Sequence, residues 1–132
     1  MAGRGRRGGR RTPSTHAYPR AARLSETLRE IIADELVRID DERLELVTVT
    51  TIDVDDEMNR AKVYFDSLAG EDADGEIVDA LGEHRVRLQS SIARQIRAKK
   101  TPILEFHPDD VIRSAERIDE ILRADRDRRD DA

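Results

Sequence analysis

The apolar residues of this chain change their spacing along the sequence, and that alternation limits the folds open to it more than any other feature. From Tyr18 onward, Leu24, Leu28, Ile31, Ile32, Leu36 and Ile39 recur at intervals that place them on one face of a helix. Glu35 falls inside the same stripe, where apolar periodicity does not account for a carboxylate. The polar run "DDER" ends the helix. "LELVTVTTIDV" is then rich in β-branched residues and reads as a strand, bounded by the turn "DDEMN". In "RAKVYFDS", Ala61, Val63 and Phe65 alternate with Lys62, Tyr64 and Asp66, which gives a second strand. The short polar connection between the two predicts an antiparallel hairpin. "AGEDADG" follows as a loop.

A helical period then returns from about Glu76 to Lys100. Ile77, Leu81, Leu88, Ile92 and Ile96 share one side of such a helix, but His84 and Arg85 would share it too if the helix were unbroken. Burying a cation there is expensive. Gly82 weakens the helix by about 1 kcal/mol relative to alanine. The phase slip therefore predicts a bend or break near residues 82–86 and two helices out of phase. Thr101-Pro102 stops the second of them. "ILEF" supplies a third strand, and Pro108-Asp109-Asp110 starts a last helix in which Val111, Ala115, Ile118 and Leu122 share a face. The order α-β-β-α(kink)α-β-α, with three strands and helices mainly on one face, is α+β.

At 132 residues the chain is expected to hold one folded domain over residues 18–123. An Arg/Gly-rich tail, residues 1–17, has almost nothing to bury and is expected to be disordered; residues 124–132 read as a charged C-terminal tail. Hydrophobic residues make up 37% and charged residues 40%, enough for one modest core and too little for a large buried pocket. There is no cysteine, which excludes disulfides, thiolate metal sites and thiol catalysis. No apolar run approaches the roughly 18 residues of a membrane span, and the N-terminus has no secretory apolar stretch, so the expected address is cytoplasmic.

Catalytic chemistry finds no footing. His16, His84 and His107 lie far apart without ligand spacing. Asp53, Asp55, Asp56 and Glu57 resemble the start of a calcium loop, which wants glycine sixth and glutamate twelfth. Met58 and Tyr64 stand there instead, so an Asp-rich turn is the better reading. Neither a GxxxxGK[ST] nor a GxGxxG motif occurs, and no cofactor is implied.

What remains is charge. The net charge is −5, yet residues 1–24 carry seven arginines and no acid, leaving −12 on the other 108 residues. Within that acidic body, residues 84–104 hold no acid and six cations: Arg85, Arg87, Arg94, Arg97, Lys99 and Lys100. Arg87, Ser90, Arg94 and Arg97 are expected on the helix face opposite the apolar stripe, a row of roughly 15 Å. Cations near a helix C-terminus are also favoured by the helix dipole, but that does not explain Arg87 and Arg94. The segregation points to an anionic partner, with Arg4, Arg6, Arg7, Arg10 and Arg11 of the tail as a second contact. Aromatics are only 3% of the chain, too few for a base-stacking platform, so affinity should come from phosphates and shape. A DNA- or RNA-binding regulator with a basic arm, and a protein-interaction domain whose charges merely solvate it, are the competing readings. The last predicts binding indifferent to salt, whereas phosphate contacts weaken steeply as salt rises.

Four segments, "DERL", "VTVTTIDVDDEMNRAKVYF", "TPILEF" and "DDVIRSAERIDEIL", resemble the ribosome-binding factor A family in order and spacing over roughly residues 20–122. The resemblance implies a KH-like (type II-like) domain without the GxxG loop, in which an Ala-x-Gly kink joins two helices. Here His84-Arg85-Val86 occupy those positions, and Gly82 is expected to do the bending. The resemblance further implies a monomeric, non-enzymatic factor that binds the small (30S) ribosomal subunit and assists late maturation and 5′-end processing of 16S rRNA. It implies release promoted by an assembly GTPase and a link to growth in the cold.

Overall fold

The computed structural model describes residues 19–98 and 100–131. Helix α1 (Pro19–Arg38) leads through a 3-10 turn (Glu42–Leu44) to the hairpin of β1 (Val47–Val54) and β2 (Arg60–Ser67). A second 3-10 turn (Glu71–Ala73) enters α2 (Asp74–Glu83), and α3 (Arg85–Gln95) follows after a single residue. Strand β3 (Ile103–Pro108) and helix α4 (Asp110–Asp131) complete the fold.

The sheet order is β1-β2-β3. β1 and β2 pair antiparallel from Val47↔Ser67 to Val54↔Ala61. β3 lies parallel to β2, from Arg60↔Ile103 to Phe65↔Pro108. A parallel neighbour needs a crossover, and α2 with α3 supplies it. Central strand β2 turns Ala61, Val63 and Phe65 inward, each at 0% exposure, so its alternation is the seam on which the core is laid. Leu28, Ile32, Ile77, Leu81, Leu88 and Ile92 from the three helices close over it, with Leu104 and Phe106 from β3.

Strand β1 carries an irregularity that its composition hides. The register shifts between Val49 and Thr51, so Val49 and Ile52 both point to the core although they lie three positions apart, an odd spacing that would put them on opposite faces of a regular strand. The extra residue, Thr50, donates from its hydroxyl to Asp109 Oδ2 at 2.5 Å. Asp109 is itself buried, caps α4 by accepting from the Ile112 N–H at 3.1 Å, and donates its own N–H to the Phe65 carbonyl. The bulge thus locates the start of the last helix. At the hairpin, Met58 holds the left-handed turn conformation (φ 59°). Asp55 Oδ1 accepts the Asn59 N–H at 2.7 Å, which gives that acidic run a turn-forming use.

Three expectations need correction. The helical crossover breaks within the expected 82–86 span, at His84 (φ −95°, ψ 8°), and what fails is Gly82 as the bending residue. Gly82 lies inside α2, and a Cβ built there would meet nothing within 4 Å, so no steric need for glycine exists. Helix α3 stops at Gln95, not at Lys100: Ile96 is already extended (φ −117°, ψ 129°). The chain must reach a parallel pairing that starts at Arg60↔Ile103, and that tertiary demand overrides local helix propensity. Finally, α4 continues to Asp131 through the residues read as a charged tail. Its apolar residues share a face, but Val111, Ile118 and Leu122 are 80%, 58% and 55% exposed. Charge tethers the helix instead: buried Arg113 bonds Asp66 at 2.9 Å and Asp74 at 2.5 and 3.0 Å, and Arg117 pairs with Glu71.

These differences set measurable stabilities. Leu88→Ala should cost about 2–5 kcal/mol. Ile118→Ala should change stability by less than about 0.5 kcal/mol. Gly82→Ala should stabilise by about 0.4–1 kcal/mol. Urea midpoints of the three variants check all three outcomes, and a destabilised Gly82→Ala would return the bend to Gly82.

Candidate nucleic-acid interface

The cations of the acid-free segment are anchored unequally. Arg85 opens α3 and is exposed, with its guanidinium carbon over the Phe106 ring, 5.7 Å from the centroid. Ser90 and Arg94 are exposed on α3. Arg97 is exposed beyond the helix end, and Lys100 bonds the Asn59 side-chain oxygen across to the hairpin turn. Lys99, His16 and the tail arginines Arg4, Arg6, Arg7, Arg10 and Arg11 lie outside the described residues. Because α3 ends at Gln95, the expected straight row of Arg87, Ser90, Arg94 and Arg97 is not one helical face.

Arg87 is committed to a partner. Its Nε donates to Glu35 Oε2 at 2.7 Å, and its Nη2 donates to the Arg38 carbonyl at 3.4 Å. Glu35 is the carboxylate that interrupts the apolar stripe of α1, and its side chain is only 6% exposed. Ser91, fully buried on α3, donates to Glu35 Oε1 at 3.1 Å and accepts from Gln95 at 3.2 Å. Arg38 and Arg94 stand 3.7 and 4.0 Å from the same Oε1. A buried carboxylate without such partners would be prohibitively costly. The hydrogen bond from Arg87 holds the Glu35 carboxyl below its ordinary range against the opposing effect of burial, with Ser91 and the Arg38 charge adding to the lowering.

A second cluster fixes the bend. His84 Nε2 lies 2.9 Å from Asp41 Oδ2, just before the first 3-10 turn. Arg43 donates to Asp41 at 2.7 and 3.0 Å and to Glu83 at 2.8 and 3.0 Å. Arg43, then His84, hold Asp41 far below the usual carboxylate range, and Arg43 lowers Glu83. His84 therefore sits half-buried against an acid, while Arg85 turns outward. This is how the phase slip between the helices is accommodated.

Sequence reasoning picked out Arg87 and Arg94 but missed Glu35 and Arg38 as their neighbours. The signal was present: a carboxylate in an apolar stripe demands a cation, and Arg38 follows it at i+3.

The ribosome-binding factor A family model matches residues 20–122. The ribosome-binding factor A of Rubrobacter xylanophilus is 36% identical over 105 residues, covering 79% of this chain and 85% of that protein. The crystal structure of ribosome-binding factor A from Thermus thermophilus superposes with a TM-score of 0.61 at 30% identity, over 67% of this chain and 93% of the other. A homology model of the Thermus thermophilus factor, fitted into a cryo-EM map of a 30S complex, matches with a TM-score of 0.55 at 30% identity, over 66% and 92% of the two chains.

Glu35, Asp41 and Glu83 all have folded-state pKa values below their unfolded ones. Their stabilisation should be complete above about pH 4.3 and lost as pH falls towards the depressed values. Glu35→Gln should lower the melting temperature at pH 7 and flatten the acid limb below about pH 4, as followed by circular dichroism. An acid limb identical to that of the parent would show that the Glu35 pairing contributes nothing to stability.

Proposed function

The chain belongs to the ribosome-binding factor A family, and on that premise we propose that it is a non-enzymatic assembly factor of the small ribosomal subunit. It acts in the cytoplasm, binds 16S rRNA within the 30S particle, and assists late maturation, including processing of the rRNA 5′ end. The docking unit is residues 18–123, with the arginine tail reaching a second rRNA segment. The observation that carries this reading is the acid-free stretch that emerges from an acidic body with Arg94 and Arg97 exposed beside the α3 terminus. The relative fitted into a 30S map gives the partner class.

Phosphate contact suits these side chains. Arginine presents a planar fork that can engage two phosphate oxygens at once. Lys100 adds a point charge beside the hairpin turn, and the surplus of carboxylates elsewhere repels RNA that does not fit the docked orientation. Arg85 and Ser90 belong to the same proposed surface. The role of Arg87 changes in the light of Glu35: its guanidinium anchors α3 to α1 first, and only the exposed remainder faces a ligand.

Neutral substitutions give the cleanest test, because an acid at position 94 would face Glu35. The double variant Arg94→Gln/Arg97→Gln should weaken co-sedimentation with free small subunits by roughly tenfold or more, while the melt stays within a few degrees of the parent. Parent affinity should fall steeply with salt, and less steeply in the variant. Salt-independent binding, or equal binding by parent and variant, would sink the reading.

A further inference from the structure

The three guanidinium groups gathered on Glu35 come from two helices, and their arrangement is not what burying one carboxylate requires. One cation suffices for that, and Arg87 provides it at 2.7 Å with Ser91 completing the shell. Arg38 and Arg94 stand at 3.7 and 4.0 Å from Oε1, beyond hydrogen-bond length, so their five N–H donors apiece are not consumed by Glu35. Both side chains are about two-thirds exposed, 67% and 66%, while the carboxylate beneath them is buried. Three cations on one carboxylate leave a surplus of two positive charges at one place on an acidic fold.

We infer that Arg38 and Arg94, braced by Arg87 and Glu35 where α1 packs on α3, form a seat for a single RNA phosphate, with Arg38 a contact residue that the first helix contributes. This rests on the rRNA-binding reading above and deepens it. Because Arg38 and Arg94 converge on the same oxygen, their forks are no farther apart than those two distances laid end to end. One phosphate can therefore be met from both sides. Glu35 performs the preorganising work: it offsets the mutual repulsion of three guanidinium groups before RNA arrives, and it pins Arg87 so that the flanking pair is held over a fixed point. A phosphate is the chemistry that fits, since it is a compact tetrahedral oxyanion whose oxygens can accept N–H bonds from two guanidinium forks at once.

The test uses the full chain with free small subunits and, in parallel, protein-free 16S rRNA. Arg38→Gln should lower affinity for both by about tenfold and reduce the slope of log affinity against log salt, by no more than about 0.7–0.9, the share of the one phosphate it meets together with Arg94. Arg38→Lys should restore the slope and only part of the affinity, because it keeps the charge but not the fork. Arg29→Gln, whose parent side chain is paired with Glu26, should leave both unchanged. If Arg38→Gln binds like the parent while Arg94→Gln/Arg97→Gln is weakened, the seat is wrong and the rRNA-binding reading stands. If Arg38→Gln loses affinity for subunits but not for protein-free rRNA, the contact is with a ribosomal protein and the inference is overturned. If the parent itself shows no salt-dependent binding, the broader reading fails first.

Discussion

Glu35 is a carboxylate placed where α1 should be apolar, and the way its charge is accommodated constrains the helical layer. The group is buried against α3 and receives hydrogen bonds from Arg87 and Ser91, two residues four apart on one side of that helix. Apolar packing alone tolerates small slides between helices, since one leucine fills much the same space as another. A buried ion pair tolerates far less, because a shift of an ångström leaves a charge without its partner. The pair therefore sets one register between the two helices. That register also determines which side chains of α1 emerge beside those of α3, and hence that Arg38 comes to lie near Arg94.

The same logic is repeated elsewhere in different proportions. At the bend, Asp41 gathers His84 and Arg43, and Arg43 extends the network to Glu83, so the first 3-10 turn is clamped to the end of α2. At the opposite side, α4 is attached through Arg113, whose guanidinium is buried between Asp66 and Asp74 and lies 6.0 Å from the Phe65 ring centroid. The apolar core is one continuous cluster, from Leu28 on α1 to Phe106 on β3, and ionic contacts fasten the periphery to it. For a chain with 40% charged residues this division is physically reasonable: hydrophobic burial drives the collapse, and specific charge pairs select among similar packings.

The order of elements was legible because each stretch advertises its period. Ala61, Val63 and Phe65 alternate as β2 requires, and Leu28, Ile32 and Leu36 recur as α1 requires. The hairpin followed from "DDEMN", and the interruption between α2 and α3 from the conflict of phase at His84 and Arg85. The end of α3 was not legible. Residues 96–100 carry no strong helix breaker before Thr101-Pro102, and only the pairing of Ile103 with β2 shows why the chain must extend from Ile96. The bulge at Thr50 was equally hidden, since a threonine among threonines looks like any strand residue until Asp109, 59 positions later, takes its hydroxyl.

The sequence by itself determined the alternation of helix and strand, the small core, the absence of thiol chemistry and the gathering of positive charge in two stretches of an acidic chain. These depend on composition and near-neighbour spacing, which are properties of the sequence read locally. Tertiary structure alone decided which of those charges is available. Arg87 and Arg94 are seven residues apart on one helix and indistinguishable by type, yet one is held by a carboxylate 52 positions away and the other is left largely to solvent. Electrostatic availability depends on distance in space, and the residues that settle it are brought together only when the helices pack.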